Sequence, residues 1–391
     1  MNILDDLFVN IGQWWTNLLS DTLALSDWAV TVIDGLIGGL IFALLGVVMV
    51  LILTYMERKV FARLQDRIGP NRWGPWGILQ AVADAIKMLI KEDIIPDNAD
   101  RLLFNLAPVM MVIPAVLLYA VLPFGRGMVG SDLNVGVLYV VAIGSLTTIA
   151  VMTAGWSSSN KYGLLGAFRM IAQLVSYEIP MVLAMASVVL ITGSMSLVKI
   201  VESQPIPNAV LMPVAFFVYM AAGMAELGRS PFDLLEADSE IVAGYFIEYS
   251  GMKFALFFLA EYINMFAVAG IATTLFLSGW NWPILPTWLW FFIKAFAVVF
   301  VFIWARGSWP RFRIDHMLSF AWKFLVPLAL VNLMVVGLVD KLLPQAEAGT
   351  LARAAALLGS NLALIAVTLI VVAWAARRSR SATLKAIAGA R

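Results

Sequence analysis

Nine stretches of this chain are apolar over about the length a helix needs to cross a bilayer, roughly 20 residues: 32–56, 102–123, 134–155, 171–195, 208–225, 254–279, 286–305, 324–340 and 354–376. Inside hydrocarbon a backbone satisfies its own polar groups only as a helix or a closed barrel. These stretches run well past strand length, so the chain reads as an all-α polytopic membrane protein of about nine transmembrane helices. Composition agrees. Of the 391 residues, 62% are hydrophobic and 13% charged, with a mean hydropathy of +0.90, against roughly 45–50% and 25% in soluble domains.

Charge sets the orientation. With the N-terminus outside, 21 of the 26 Lys and Arg fall on the inner side, four (Arg126, Lys199, Lys341, Arg353) on the outer side, and Lys294 lies within a span. That is the positive-inside pattern. Asp5, Asp6, Asp21, Asp27, Asp34, Asp132, Glu202, Asp340 and Glu347 collect at the outer segments. The first 30 residues carry no Lys or Arg, the reverse of a signal-peptide start, so no cleaved leader is expected. The inner loops are long and read as ordered; the outer ones are short. Residues 1–391 read as a single membrane domain with an inner loop at 57–101 that holds an amphipathic helix, an acidic inner loop at 226–253 and an extra C-terminal transmembrane helix at 354–376. The basic tail beyond reads as a topogenic flank. Trp14, Trp15, Trp28, Trp280, Trp282, Trp288 and Trp290 sit near outer boundaries and are expected to anchor the interface.

Several chemistries drop out. A net charge of +1 without a basic block among aromatics excludes nucleic acid as a partner. The chain has no cysteine, so it offers no disulfide, thiolate cluster or cysteine zinc site. A single histidine, His316, builds no metal site. If the protein does redox chemistry, its redox cofactors must sit elsewhere.

The chemistry-bearing residues are carboxylates. Between Met224 and Glu261 lie seven of the 25 acidic residues: Glu226, Asp233, Glu236, Asp238, Glu240, Glu248 and Glu261. Acids beside or inside spans are costly unless they pair, neutralise or line a wet path, and their default reading is an ion or proton route. Ser230-Pro231-Phe232-Asp233 reads as a helix start, with Ser230 at the N-cap and Asp233 closing a capping box. Glu236 and Glu240 follow on the face of Asp233, and Arg229 is the nearest counter-charge. Glu178 and Glu261 lie inside spans, at a cost of roughly 2.5–3.5 kcal/mol each by insertion scales. Pro180 is placed to open the backbone beside Glu178, and Lys294 is a third intramembrane charge. From Trp76 to Glu92, Gln80, Asp84, Lys87 and Lys91 form one polar stripe on an otherwise apolar helix, turned either to a cavity or to lipid headgroups. Arg306, Arg311 and Arg313 would dock an acidic partner, hold lipid phosphates or fix topology.

Four long motifs, MERKVFARLQDRIGPNRWGPWG with ADAIKMLIKED, FRMIAQLVSYEIPM, AELGRSPFDLLEADSEIVAGYFIEYSGMKFALFFLAEY and WARGSWPRFRIDHM, lie in order on the inner side. Over about residues 30–340 the chain resembles the quinone-site membrane subunit of respiratory complex I, a family shared by bacteria and mitochondria. The resemblance implies a protein that binds no metal and no redox cofactor of its own, with quinone as substrate and with flavin and iron–sulfur clusters in partner subunits. Those partners would be the peripheral-arm quinone-site subunits and neighbouring small membrane subunits. It further implies that Glu57, Arg58, Arg63, Asp84, Lys87 and Arg229 line or shape the quinone chamber. Glu226, Asp233, Glu236, Asp238, Glu240 and Glu248 would form an acidic funnel leading from it, and Glu178 and Glu261 would continue the proton path. Gly228, Ala81, Asp238 and His316 depart from the usual pattern, and the ninth span is additional. The extra span and the lack of cysteine point to a bacterial cytoplasmic membrane rather than an organellar inner one. Two alternatives stand beside this reading: the homologous component of a membrane-bound hydrogenase or ferredoxin-fed complex, and a stand-alone ion transporter.

Overall fold

The computed structural model describes residues 3–18, 26–233, 244–343 and 350–389. Glu236, Asp238 and Glu240 of the acidic loop lie outside the described residues. In chain order the helices are α1 (Ile3–Asn17), α2 (Asp27–Leu64), α3 (Gln80–Ile90), α4 (Arg101–Tyr119), α5 (Gly136–Ser157), α6 (Lys161–Thr192), α7 (Leu197–Glu202), α8 (Asn208–Leu211), α9 (Pro213–Glu226), α10 (Gly251–Phe276), α11 (Thr287–Ser308), α12 (Ile314–Phe320), α13 (Val326–Leu342) and α14 (Thr350–Gly389). A π-helical turn, Ala321–Leu325, joins α12 to α13. Among the described residues no strand forms, as the bilayer argument requires.

Among the described residues, eight helical segments are long and apolar enough to span a membrane. The fifth apolar stretch is the exception. It breaks at Met212, and Pro213 opens an α9 of only 14 residues. At 1.5 Å per residue that helix covers about 21 Å, short of the roughly 30 Å hydrocarbon core. Its shortness sets Glu226 at its last residue and puts Arg229 on the turn just beyond.

Helix starts follow local chemistry. Asp100 caps α4 by accepting from the backbone N–H of Leu102 and Leu103, and Asn160 caps α6 through Tyr162. The amphipathic helix is shorter than the stripe suggested. A 3-10 turn at Pro75–Gly77 precedes it, and Gly77 has φ +82° with an added Cβ falling 2.4 Å from the Pro70 carbonyl oxygen, so only glycine fits there. The helix start expected at Ser230 is also corrected: residues 230–233 form turns and a bend. Their side chains bond across to the 309–311 segment. α6 runs unbroken through the buried Pro180, so the backbone opening expected beside Glu178 does not form.

α6 forms the centre of the bundle, packed on α5, α9 and α13, while α10 packs on α4 and α11. Three fully buried tyrosines tie elements together by donating to backbone carbonyls: Tyr119 to Ile263 at 3.1 Å, Tyr177 to Met317 at 2.9 Å and Tyr219 to Val268 at 3.0 Å. Each ring supplies apolar area while its hydroxyl stays satisfied.

Lys294 turns out to be structural. Its Nζ donates to the carbonyls of Leu277, Gly279 and Asn281 at 2.8, 2.9 and 3.1 Å, beyond the C-terminal end of α10. A cation is favourable at that negative helix pole. Trp282 is exposed and stacks on Trp290, as an interface anchor should, but Trp280 is buried and anchors nothing in lipid. The C-terminal helix α14 is fixed by Arg353, which pairs with Asp340 of α13 and donates to the Ile191 carbonyl of α6.

Candidate functional site

Four chain segments meet at the inner end of the bundle around Arg229. Glu57 comes from α2, Glu261 from α10, Arg306 from the last turn of α11, and Arg229 from the turn after α9. Arg229 Nη1 lies 3.2 Å from both oxygens of Glu57, and its Nε lies 2.9 Å from Glu261 Oε1. Arg306 pairs with the same Glu57 carboxylate. The Arg229 guanidinium also sits over the Tyr262 ring at 4.6 Å. Arg229 and Glu57 are only 4% and 6% exposed. Burial works against the guanidinium charge, but Glu261 and Glu57 outweigh it and hold Arg229 charged above its ordinary range. Two acids and two arginines make the quartet neutral as a whole, which is what lets it stay buried.

From this quartet two cavities lead inward. The first is lined by Glu261, Arg306, Gly228, Thr147, Asn264 and Glu226, among apolar neighbours. The second is lined by Glu226, Asn264, Gly144, Tyr219 and Glu178. Glu226 thus stands between Glu261 and Glu178. Its Oε2 is enclosed and accepts no hydrogen bond among the described residues. The arrangement is a set of carboxylates joined by two small enclosed cavities, lined mainly by apolar side chains, within a membrane domain.

Asp233 takes a different partner from the one nearest in sequence: Arg311 Nη2, at 2.9 Å, while its residue is 3% exposed. Ser230 Oγ donates to the Trp309 carbonyl, and Phe312 N–H to that of Pro231. Gln173 Nε2 supports the same turn by donating to the Ala225 and Phe232 carbonyls at 2.6 and 3.0 Å. Arg306 and Arg311 therefore serve carboxylates of this chain. Glu248 joins neither cavity. It is half-buried, receives Asn160 Nδ2 at 2.6 Å and lines an open inner groove with Asp97 and Lys161.

A second cluster lies on α3. Asp84 pairs with Arg58 of α2, has Lys87 at 3.6 Å and accepts from Gln80 Nε2 at 3.3 Å. Burial raises the Asp84 pKa, but the hydrogen bond and charge of Arg58, with Lys87, hold the carboxyl below its usual range. A depressed carboxylate contributes stability above its unfolded pKa, about 3.9, and loses it only as pH falls through the folded value. Asp84 is accordingly ionised throughout the physiological range. Arg63 is exposed on the last turn of α2 and joins neither cluster. α3 is latched to the start of α10: Ser250 Oγ accepts from Ile94 N–H at 3.0 Å and donates to the Glu92 carbonyl at 3.3 Å. Lys253 pairs with Asp93 at 2.8 Å. Gly251, with φ +56°, lets the chains close, since an added Cβ would lie 3.0 Å from the Lys91 carbonyl oxygen.

His316 is exposed on α12, and among the described residues no group of His, Cys, Asp and Glu could hold a metal. Sequence reasoning missed Gln173, Tyr262 and Asn264. Only Asn264 had a local signal, three residues past Glu261 on one helix face.

Fold and site together define a polytopic α-helical membrane protein with a buried carboxylate series opening from its inner face. The NADH dehydrogenase family model matches residues 37–337. Among relatives named as the H subunit of NADH-quinone oxidoreductase, that of Dehalococcoides mccartyi strain CBDB1 is 51% identical over 319 residues, covering 82% of this chain and 89% of that protein. The relative from Carboxydothermus hydrogenoformans is 53% identical over 292 residues, covering 73% and 83%. That from Anoxybacillus flavithermus is 49% identical over 311 residues, covering 78% and 92%. The chain belongs to this family, as its motifs led one to expect. The matched region leaves out α1 and α14.

Proposed function

We propose that the chain works as the H subunit of a proton-translocating NADH-quinone oxidoreductase in a bacterial cytoplasmic membrane, with peripheral-arm and small membrane subunits as partners and a quinone as substrate. The observation that carries this is the succession of Glu261, Glu226 and Glu178 along two small enclosed cavities in an otherwise apolar interior, beginning at a neutral quartet open to rebalancing. Arg58, Asp84 and Lys87, with Glu57 and Arg63 nearby in sequence, would face the quinone end. Quinone reduction takes up protons and shifts charge at that end. Any change of charge beside the quartet alters which carboxylate Arg229 serves, and this biases the protonation of Glu226 and Glu178 beyond it. The funnel acids Glu236, Asp238 and Glu240, together with Asp233 and Glu248, complete the acidic inner loop in this reading. Flavin and iron–sulfur clusters would belong to partner subunits, consistent with a chain that has no cysteine.

The direct test is to purify the tagged chain in mild detergent. Co-purifying flavin and iron–sulfur absorbance with NADH-driven quinone reduction is the expected result. A colourless chain that purifies alone would point to a transporter and to ion-flux assays in liposomes.

Two variants probe the quinone end. Asp84→Asn is expected to raise the KM for quinone about tenfold, the ~1.4 kcal/mol of one lost charge-assisted contact. An unchanged KM removes Asp84 from the site. Lys253→Met, which opens the half-exposed latch without touching the cluster, is expected to raise the same KM by about threefold or less, in line with pairs worth under ~1 kcal/mol. A larger effect on kcat than on KM would show that the latch acts elsewhere.

A further inference from the structure

Asn264 and Glu226 are the residues that line both cavities. On α10 Asn264 sits three residues beyond Glu261 and so shares its face, between the buried Ile263 and Met265. The Asn264 carboxamide is only partly exposed, and among the described residues it makes no side-chain hydrogen bond. In a membrane interior an amide with neither donor nor acceptor engaged loses about 1–3 kcal/mol. Each adjoining cavity has room for a water and sets a carboxylate beside Asn264, so hydration can satisfy the group.

We infer that Asn264 is a positioning residue of the coupling route, orienting water that links the Glu261–Arg306 cavity to the Glu226–Glu178 cavity. This rests on the proposed function above. A carboxamide carries two N–H donors and an acceptor oxygen on one planar group. It can accept from a water on the Glu261 side while donating to one on the Glu226 side, which fixes the direction of a hydrogen-bonded chain. It does not titrate, so it takes no proton itself. The carboxylates on either side exchange the proton, and the amide holds the water between them in register.

The test uses the whole complex in native membranes, with rates normalised to NADH oxidation by a water-soluble acceptor. Asn264→Leu keeps the volume and removes the hydrogen bonds. It is expected to lower NADH-driven quinone reduction and proton translocation about tenfold, less than the ~10²-fold of a group that carries the proton itself. It should also raise the solvent deuterium isotope effect, because proton transfer becomes slower. Asn264→Ser, which retains a donor and an acceptor, should recover most of the rate and the original isotope effect. If Leu blocks assembly, Asn264→Ala carries the same comparison. Wild-type turnover in the Leu variant overturns the inference, as do equal losses in Leu and Ser with an unchanged isotope effect. Glu226→Gln run alongside separates the two levels: a disabled Glu226→Gln beside a neutral Asn264→Leu sinks only Asn264, whereas neutrality of both sinks the carboxylate route.

Discussion

Replacing Arg229 by leucine is expected to destabilise the protein by about 3–5 kcal/mol, the penalty for leaving buried charge uncompensated, and to abolish NADH-driven quinone reduction. Arg229 is placed between Glu57 and Glu261, engaging the first through Nη1 and the second through Nε. Leucine would leave two carboxylates beside Arg306, whose guanidinium is already committed to Glu57. The inner end of the bundle then carries one positive charge fewer beside Glu57 and Glu261, and rebalancing that charge disturbs the first cavity. The measurements are the melting temperature of the purified complex and its quinone reductase rate. Arg229→Lys refines the expectation. A single ammonium keeps the charge but lacks the planar fork that reaches both acids at once, so stability should return further than activity. Wild-type stability in the leucine variant would mean that the quartet is not a unit.

The fold was legible in the chain because a bilayer leaves few options. Stretch length, the helix requirement and the Lys/Arg asymmetry place the spans and the long inner loops. The errors came where packing overrides local pattern. Ser230 and Asp233 have capping chemistry, yet their partners, Trp309 and Arg311, lie 79 and 78 positions away, and the local segment turns instead of winding. Lys294 stood out as an intramembrane charge, but its three partners are backbone carbonyls that a sequence pattern cannot display. The quartet was half legible. Glu261 was identifiable by its cost in hydrocarbon and Glu57 only through the family resemblance, and Glu57 and Arg229 are 172 positions apart, so no spacing rule joins them. Arg229 was paired by proximity with the acids around it, whereas the fold gives it to α2 and α10. Glu248, placed with the funnel by the family resemblance, has Asn160 as its partner in the fold, while Glu236, Asp238 and Glu240 lie outside the described residues.

Glu226→Gln is expected to leave assembly intact and to cut coupled quinone reduction and proton translocation about 10²-fold, the scale of one positioned proton-transfer group. The argument turns on what Glu226 lacks. Glu57, Glu261 and Asp233 each have an arginine partner, so neutralising any of them changes packing and charge balance together. Glu226 has no arginine or lysine paired with it among the described residues, and its Oε2 accepts no hydrogen bond there. Glutamine has nearly the same shape, so the substitution removes ionisation and little else. Glu261→Gln is the contrasting case, because it leaves Arg229 with one carboxylate fewer and should lower stability as well as rate. Titrating turnover against pH in both variants, next to the melting temperature, distinguishes a proton carrier from a charge balancer. A Glu226→Gln complex that pumps at the wild-type rate would show that the two cavities do not carry the proton, however continuous their lining, and the route would have to pass through the acidic loop instead.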